Sequence, residues 1–384
     1  VRDLTRDRGM SAILITHDLG LAATYCDDIV VMRRGEVVEA APTQALFRDA
    51  SHPYTRRLIQ ATPRRESTLQ EIDVAPDEAA EAAIAPAIVP AAPRTAPASP
   101  RTPLLDVRNL VKTYRLREAS FVDRLRATVK RATATQPAQD DRAALLHAVD
   151  DISLTIPFGG SLGVVGESGS GKSTLSSMIT RLIDPTAGSI LFDGVDIGAI
   201  PAARFARSPE RRLIQMVFQD PTESLNPRFT AADCIADPLR RLEGLKPGKA
   251  LNDRVRALAA MVGLPDHLLG RFPHQLSGGQ KARVGIARGL APQPRLLILD
   301  EPTSALDVSV QAVVLNLLDR LRSALGVGYL FVSHDLNVVR LLCDEVIVVN
   351  RGRVVERGPS QTVLDTPQDP YTRTLIDAIP HFAP

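Results

Sequence analysis

The sequence predicts an α/β fold with a mostly parallel core sheet, and three observations carry that expectation. Short, nearly continuous apolar runs at 161–165, 296–300, 329–333 and 346–349 are separated by helical stretches. Strands without polar alternation are buried on both faces, so helices must cover the sheet from two sides. A glycine-rich loop lies between the first of these runs and a helical stretch, where parallel α/β folds carry ligands at the ends of their strands. Finally, the chain repeats itself, so the last part of the fold is written twice.

Sliding the chain by 317 residues places Thr16-His17-Asp18-Leu19 on Ser333-His334-Asp335-Leu336. The match continues without a gap through Cys26-Asp27 on Cys343-Asp344, Arg34-Gly35 on Arg351-Gly352, and Pro53-Tyr54-Thr55-Arg56 on Pro370-Tyr371-Thr372-Arg373, ending at Pro63 and Pro380. Residues 1–63 therefore read as the tail of a unit whose whole copy lies further on. The first residue is Val1, which fits either a literally translated non-AUG start codon or a sequence that begins inside a longer protein.

Between the copies, eighteen of the twenty-nine residues 75–103 are Ala or Pro, and the spacing of the prolines rules out a buried Ala-rich helix. Residues 64–103 read as a semi-extended linker. The whole copy opens on Leu104–Val107 and, after a basic inserted loop at 117–143 with a short helix near its start, resumes at Ile152–Ile156; both runs alternate at period two. The strand at 161–165 follows. Residues 223–290 are rich in helical pattern and interrupt the β/α alternation as an insertion.

Composition narrows the function classes. With 46 Lys+Arg against 44 Asp+Glu the formal charge is +2, too near neutral for a protein that coats nucleic acid. No run approaches the ~18 apolar residues of a spanning helix, and the first ten residues lack the apolar stretch of a secretory signal. The three cysteines, Cys26, Cys234 and Cys343, have no zinc-site or disulfide spacing, which suits a reducing compartment.

Gly166-Glu167-Ser168-Gly169-Ser170-Gly171-Lys172-Ser173-Thr174 has the spacing of a phosphate-binding loop and lies after a strand and before a helix, as that chemistry requires. Its glycines let backbone N–H groups converge on phosphate oxygens, and the helix N-terminus adds partial positive charge. Lys172 is placed to bridge the β- and γ-phosphates of a nucleotide, and the Ser173 hydroxyl to ligate Mg²⁺. The run Leu296–Asp300 delivers a carboxylate to the same end of the sheet, so Asp300 reads as the acid on the Mg²⁺ side. Glu301, the next residue, is placed to polarise a water.

With Leu276-Ser277-Gly278-Gly279-Gln280 lying between the phosphate loop and the acidic strand, the sequence resembles the ATP-binding cassette (ABC) family over about 104–358. Gln219, the Ser304-Ala305-Leu306-Asp307 turn and His334 follow in that family's order. The resemblance implies a P-loop NTPase of ABC type, with an antiparallel β subdomain beside the parallel core. It implies that ATP and Mg²⁺ are held by 166–174, that Gln219 senses Mg²⁺ and the transport partner, and that His334 contacts the γ-phosphate. Glu301, His334, Gln219 and Lys172 are then the catalytic set, and Ser173, Gln219 and Asp300 the metal side. Asp307 belongs to the nucleotide-binding set. Residues Ser277, Gly278, Gly279 and Gln280 belong to it too, with Ser277 and Gly279 reaching the nucleotide of a facing cassette, so that hydrolysis requires a dimer. Tyr114 is either the aromatic that stacks on adenine or an ordinary aromatic at a strand end.

The tail, 359–384 with its Pro370-Tyr371-Thr372-Arg373 core, resembles the C-terminal extension of cassette ATPases that serve bacterial oligopeptide, dipeptide and nickel importers. Residues 51–59 are its counterpart in the first copy. The resemblance implies a peripheral ATP-hydrolysing subunit on the cytoplasmic face of the bacterial plasma membrane. Its implied partners are a second cassette, identical or different, two permease subunits and, indirectly, an extracytoplasmic solute-binding protein; nucleic acid is not among them. Two other readings stay open: a soluble ABC ATPase outside transport, and a partly degenerate fragment of a tandem ATPase. Residues 1–63 are expected to be loosely ordered, to dock on another surface, or to belong to a longer parent.

Overall fold

The computed structural model describes residues 5, 7–72, 103–115 and 145–379. The 117–143 insertion, and the 75–103 linker apart from Pro103, lie outside the described residues.

The first unit is a helix, a hairpin and two further helices. Asp18 starts helix Leu19–Tyr25 by accepting the N–H groups of Gly20 and Leu21. Strand β1 (Asp28–Arg33) then pairs antiparallel with β2 (Glu36–Pro42), and helices Thr43–Arg48 and Pro53–Ala61 follow.

In the second unit β3 (Leu105–Arg115), β4 (Leu145–Ile156), β6 (Ala187–Phe192) and β7 (Val195–Asp196) form an antiparallel sheet in the order β4-β3-β6-β7. The core sheet has the order β12-β11-β5-β10-β9-β8, from β5 (Ser161–Val165), β8 (Ile214–Val217), β9 (Leu296–Asp300), β10 (Gly328–Val332), β11 (Glu345–Asn350) and β12 (Arg353–Pro359). Its neighbours are parallel except β12, which returns antiparallel along β11. Side chains alternate across the pleat, which explains the unbroken apolar runs. In β10, Leu330 and Val332 face the antiparallel sheet, while Tyr329 and Phe331 face the helices.

The helical insertion contains Ala231–Leu242 and Lys249–Met261, joined in the same core by Gly278–Leu290. Thr230 and Ser277 each start a helix with reciprocal capping, in which a side chain three residues on returns the bond to the cap.

The 317-residue repeat is structural down to its irregularities. β1–β2 carries a register shift at Val31/Met32, and β11–β12 carries one at the corresponding Val348/Val349. Both hairpins turn through an Arg-Gly pair at positive φ, Arg34-Gly35 and Arg351-Gly352. The copies differ in what covers them. Ile13 and Ile15 are 94% exposed, whereas their counterparts Leu330 and Val332 are fully buried between β5 and β9, strands with no counterpart among the described residues of the first copy.

The first unit is seated on the second. Helix Pro53–Ala61 lies against helix Val308–Leu325, and Ala61 and Ile72 are fully buried in the main core. Arg65 donates to the Asp365 carbonyl at 2.8 Å, and the Asn337 amide donates to the Pro63 carbonyl at 3.2 Å. Residues 64–72, which compositional reading assigns to the linker, are thus turns packed on the second unit.

Candidate functional site

The four strands β5, β10, β9 and β8 are adjacent and parallel, so the loops leaving their C-terminal ends open on one edge of the sheet. From β5 comes 166–171, running into helix Lys172–Ile179. From β9 come Asp300 and Glu301, from β10 Ser333 and His334, and from β8 Phe218 and Gln219. Residues up to 168 positions apart in sequence (Gly166 to His334) are thereby brought to one edge because each lies at or just beyond the end of a core strand.

Two glycines set the loop's path. Gly166 has φ 151° and Gly171 φ 107°, and a Cβ on them would strike the carbonyl oxygens of Val349 and Ala148 respectively. Lys172 is buried, and its ammonium donates to the Gly166 and Glu167 carbonyls, each at 2.8 Å. Burial pushes the Lys172 pKa down, against the opposing pull of Glu301 and Asp300.

Glu301 is the centre of the acidic side. Its Oε2 accepts from Gln219 Nε2 at 3.0 Å and lies 3.1 Å from His334 Nδ1. The His334 contact holds the Glu301 carboxyl below its usual range, and Glu301 in turn raises the His334 pKa. Glu301 also sits at φ 46°, a left-handed conformation for a residue with a Cβ. Such strain costs about 1–3 kcal/mol and collects at functional positions. Asp300 is 6% exposed, and its Oδ1 is buried with no hydrogen-bond partner. Burial first, then the Glu301 charge, pushes its carboxyl above the usual range.

An unpaired buried carboxylate oxygen beside a cationic lysine and a serine hydroxyl fits a hard divalent cation that shares its ligands with phosphate oxygens. Among the described residues no group of three His, Cys, Asp or Glu could hold a metal without such help. The donor set thus fits Mg²⁺ bound together with a nucleotide.

The remaining sequence-derived residues are more dispersed. Ser277 and Gly278 are exposed, and the Ser277 hydroxyl accepts the Gln280 N–H at 3.3 Å while the Gln280 side chain accepts the Ser277 N–H at 3.0 Å. Gly279 is buried, and a Cβ there would press on Val310. Among the described residues no hydrogen bond or ion pair joins 276–280 to 166–174. Asp307 is exposed at the start of helix Val308–Leu325. Tyr114 is 39% exposed near the end of β3, with the Lys112 ammonium 5.2 Å from its ring centre. One contact has no signal in the sequence: the Glu167 N–H donates to the Tyr371 hydroxyl at 3.1 Å.

A family profile described as "ABC transporter" matches residues 149–304, and one described as "Oligopeptide/dipeptide transporter, C-terminal region" matches 38–87 and again 355–384. The chain is 38% identical over 386 residues to the glutathione import ATP-binding protein GsiA of Salmonella paratyphi A, covering 99% of this chain and 58% of that protein. The GsiA of Escherichia coli K12 is likewise 38% identical over 385 residues, covering 100% and 58%. The chain thus spans less than two thirds of the length of these relatives. Among solved structures, the dimeric post-hydrolysis ATP-binding cassette MJ0796 bound to ADP and Pi superposes with a TM-score of 0.56 at 29% identity, covering 67% of this chain and 98% of that one. The cbiO1 component of Clostridium perfringens gives a TM-score of 0.54 at 28% identity, covering 69% and 91%.

Proposed function

We propose that this chain, which matches an ABC transporter profile over 149–304 and an oligopeptide/dipeptide transporter C-terminal profile over 38–87 and 355–384, is an ABC transporter ATPase that binds Mg·ATP and hydrolyses it to energise import of a peptide or related small solute. The observation that carries this reading is the convergence of Lys172, Asp300, Glu301, Gln219 and His334 at one sheet edge, with a buried carboxylate oxygen left unpaired.

In this proposal the N–H groups of 168–174 cradle the phosphates, and Lys172 turns from the Gly166 and Glu167 carbonyls to the β- and γ-oxygens. Ser173, Asp300 and Gln219 would hold Mg²⁺, which supplies neutralisation of charge developing between the phosphates. Glu301 orients the attacking water, and His334 contacts the γ-phosphate while holding Glu301 in place. The loss of the γ-phosphoryl group to water then rests on positioning and electrostatics. Ser277 completes a site on a facing cassette together with its exposed neighbour Gly278, in place of the expected Gly279, which is buried; the working unit is then a dimer. Tyr114 stacks on the adenine.

The same reading divides the chain. Residues 1–63 are the C-terminal part of a first cassette and 64–103 the connection, of which 64–72 is seated on the second unit; 104–358 form the whole nucleotide-binding domain and 359–384 the importer-type extension. Matching hairpin registers in the two copies support the division. Two permease subunits dock around Phe218, Gln219 and the helical insertion, holding the protein at the cytoplasmic face of the plasma membrane, and a solute-binding protein acts through them. Among the described residues no helix is long and apolar enough to cross a membrane. A photo-cross-linker at exposed Phe218 tests the transport role, because it should capture a permease subunit in membranes. Permease cross-links confined to 75–103 or 117–143 would contradict it.

A further inference from the structure

The C-terminal extension reaches back to the phosphate loop. β12 is the edge strand of the core sheet, two places from β5, which feeds the loop. On β12, Glu356 accepts the N–H groups of Gln368 at 2.8 Å and Asp369 at 3.1 Å. That fixes the turn before helix Pro370–Asp377, and Asp369 caps the helix through the Tyr371 N–H at 2.8 Å. Arg373 ties the same turn down by donating to the Pro367 and Gln368 carbonyls, each at 3.1 Å. The Tyr371 ring, half-buried against the main core, then points its hydroxyl at the Glu167 N–H.

The Gly166–Glu167 segment therefore has two kinds of hold. Lys172 takes both carbonyls, and Tyr371 takes the Glu167 N–H. The lysine hold must be released when its ammonium turns to phosphate, whereas the tyrosine hold requires nothing that a nucleotide would compete for. A contact that matters more in the bound state than in the free state contributes to affinity.

The first copy supplies an internal comparison. Glu39 accepts the N–H groups of Ser51 and His52, as Glu356 does for Gln368 and Asp369, and the corresponding tyrosine is Tyr54. Among the described residues the first copy includes no phosphate loop, and the Arg33 guanidinium lies 5.2 Å from the Tyr54 ring centre. The same tail is thus built twice, and the contact to the loop 166–174 is made by the second.

We propose that Tyr371 is a positioning residue for nucleotide binding: by accepting the Glu167 N–H it holds the first turn of the phosphate loop while Lys172 turns to the phosphates, so that seating of the C-terminal extension sets the affinity for Mg·ATP. The proposal rests on the reading of 166–174 as the nucleotide site. It gives the importer-type extension a role inside its own chain, since any partner that lifts helix Pro370–Asp377 would weaken nucleotide binding.

The test compares Tyr371→Phe, Tyr54→Phe and Lys172→Ala in the full chain, measuring Mg·ATP affinity, KM and kcat. Tyr371→Phe keeps the packed ring and deletes one hydroxyl, so KM and Kd should rise about two- to tenfold, the range for one net hydrogen bond, with kcat within about twofold. Tyr54→Phe should leave all three unchanged. Unchanged affinity in Tyr371→Phe, an equal effect in Tyr54→Phe, or a fall in kcat without a change in KM would each overturn the proposal. If Tyr371→Phe is silent while Lys172→Ala loses binding, the nucleotide reading stands and only the tyrosine role falls. A wild-type chain that binds no Mg·ATP removes both.

Discussion

Replacing Glu301 by Gln should separate nucleotide binding from hydrolysis. The carboxylate Oε2 receives Gln219 Nε2 at 3.0 Å and lies 3.1 Å from His334 Nδ1, and a glutamine oxygen can occupy the same place. The backbone strain at φ 46° is common to both residues, so the substitution changes charge and little else. The His334 side chain is 60% exposed, so solvent screening limits the lost ion pair to roughly 0.5–1 kcal/mol. For a unit of this size that is a fall in Tm of about 2–4 °C at most. A neutral amide orients water far more weakly than a carboxylate, and removing such a group costs about 10²–10⁴ in rate. The assay is phosphate release under saturating Mg·ATP, with equilibrium binding and size-exclusion chromatography of the same preparations. Glu301→Gln should bind Mg·ATP within about twofold of wild type, hydrolyse it at least about a hundredfold more slowly, and accumulate as an ATP-bound dimer. Turnover comparable to wild type would remove Glu301 from the catalytic role, and a parallel loss of binding would make it a structural residue.

Other consequences can be measured in the same system. Glu301→Gly should raise Tm by relieving the left-handed strain, by about 1 kcal/mol of stability or more, while abolishing hydrolysis; an unchanged or lower Tm would contradict the strain argument. Deleting residues 1–103 should lower Tm, because it uncovers the surface that buries Ala61 and Ile72, but should leave Mg·ATP affinity within about twofold, since binding depends on the loop 166–174. A large loss of affinity would show that the first unit completes the nucleotide site. Limited proteolysis should cut first within 73–103, and early cuts within 53–72 would argue against the docked helix and turns. Burial pushes the Asp344 carboxyl up, but the Arg322 guanidinium at 2.7 Å and the Ser161 hydroxyl and N–H hold it below the usual range. Its stabilisation is therefore present above the ordinary Asp pKa and lost as pH falls through the lowered value. Asp344→Asn should flatten the acid limb of the stability profile, and an unaltered limb would refute that assignment.

How much was legible beforehand depended on the range over which each feature is determined. The core strands could be read because a strand buried on both faces needs apolar residues throughout, as in Leu296–Leu299 and Leu330–Val332. The site residues on the core strands' exits could be read because each is the last residue of a strand, as Asp300 is, or lies one to two positions beyond one, as Gly166, Gln219, Glu301 and His334 do. Their meeting then follows from parallel strand order alone. The repeat gave the hairpin and both tail helices, and even the register shift recurs at the same offset. Contacts that depend on how distant surfaces pack left no pattern. Tyr371 reaches Glu167 across 204 residues, and Arg65 reaches Asp365 across 300, through side chains ordinary in their own neighbourhoods. The seating of residues 64–72 was hidden for the same reason: Leu69 and Ile72 are isolated apolar residues beside a Pro/Ala-rich stretch, and nothing local says that they pack on the main core. Nor does sequence show that Glu301 takes a left-handed backbone, because no glycine or asparagine marks the position.

The central claim is that the chain holds one nucleotide at the loop 166–174 and none in its first copy. Equilibrium binding of Mg·ATP to the purified full chain, titrated to saturation beside Lys172→Ala, tests it most directly. Lys172 donates a charge-assisted contact to the phosphates, so the account predicts a single saturable site whose affinity collapses in Lys172→Ala. Saturable binding that survives Lys172→Ala, a second site of equal strength, or no binding at all would contradict it.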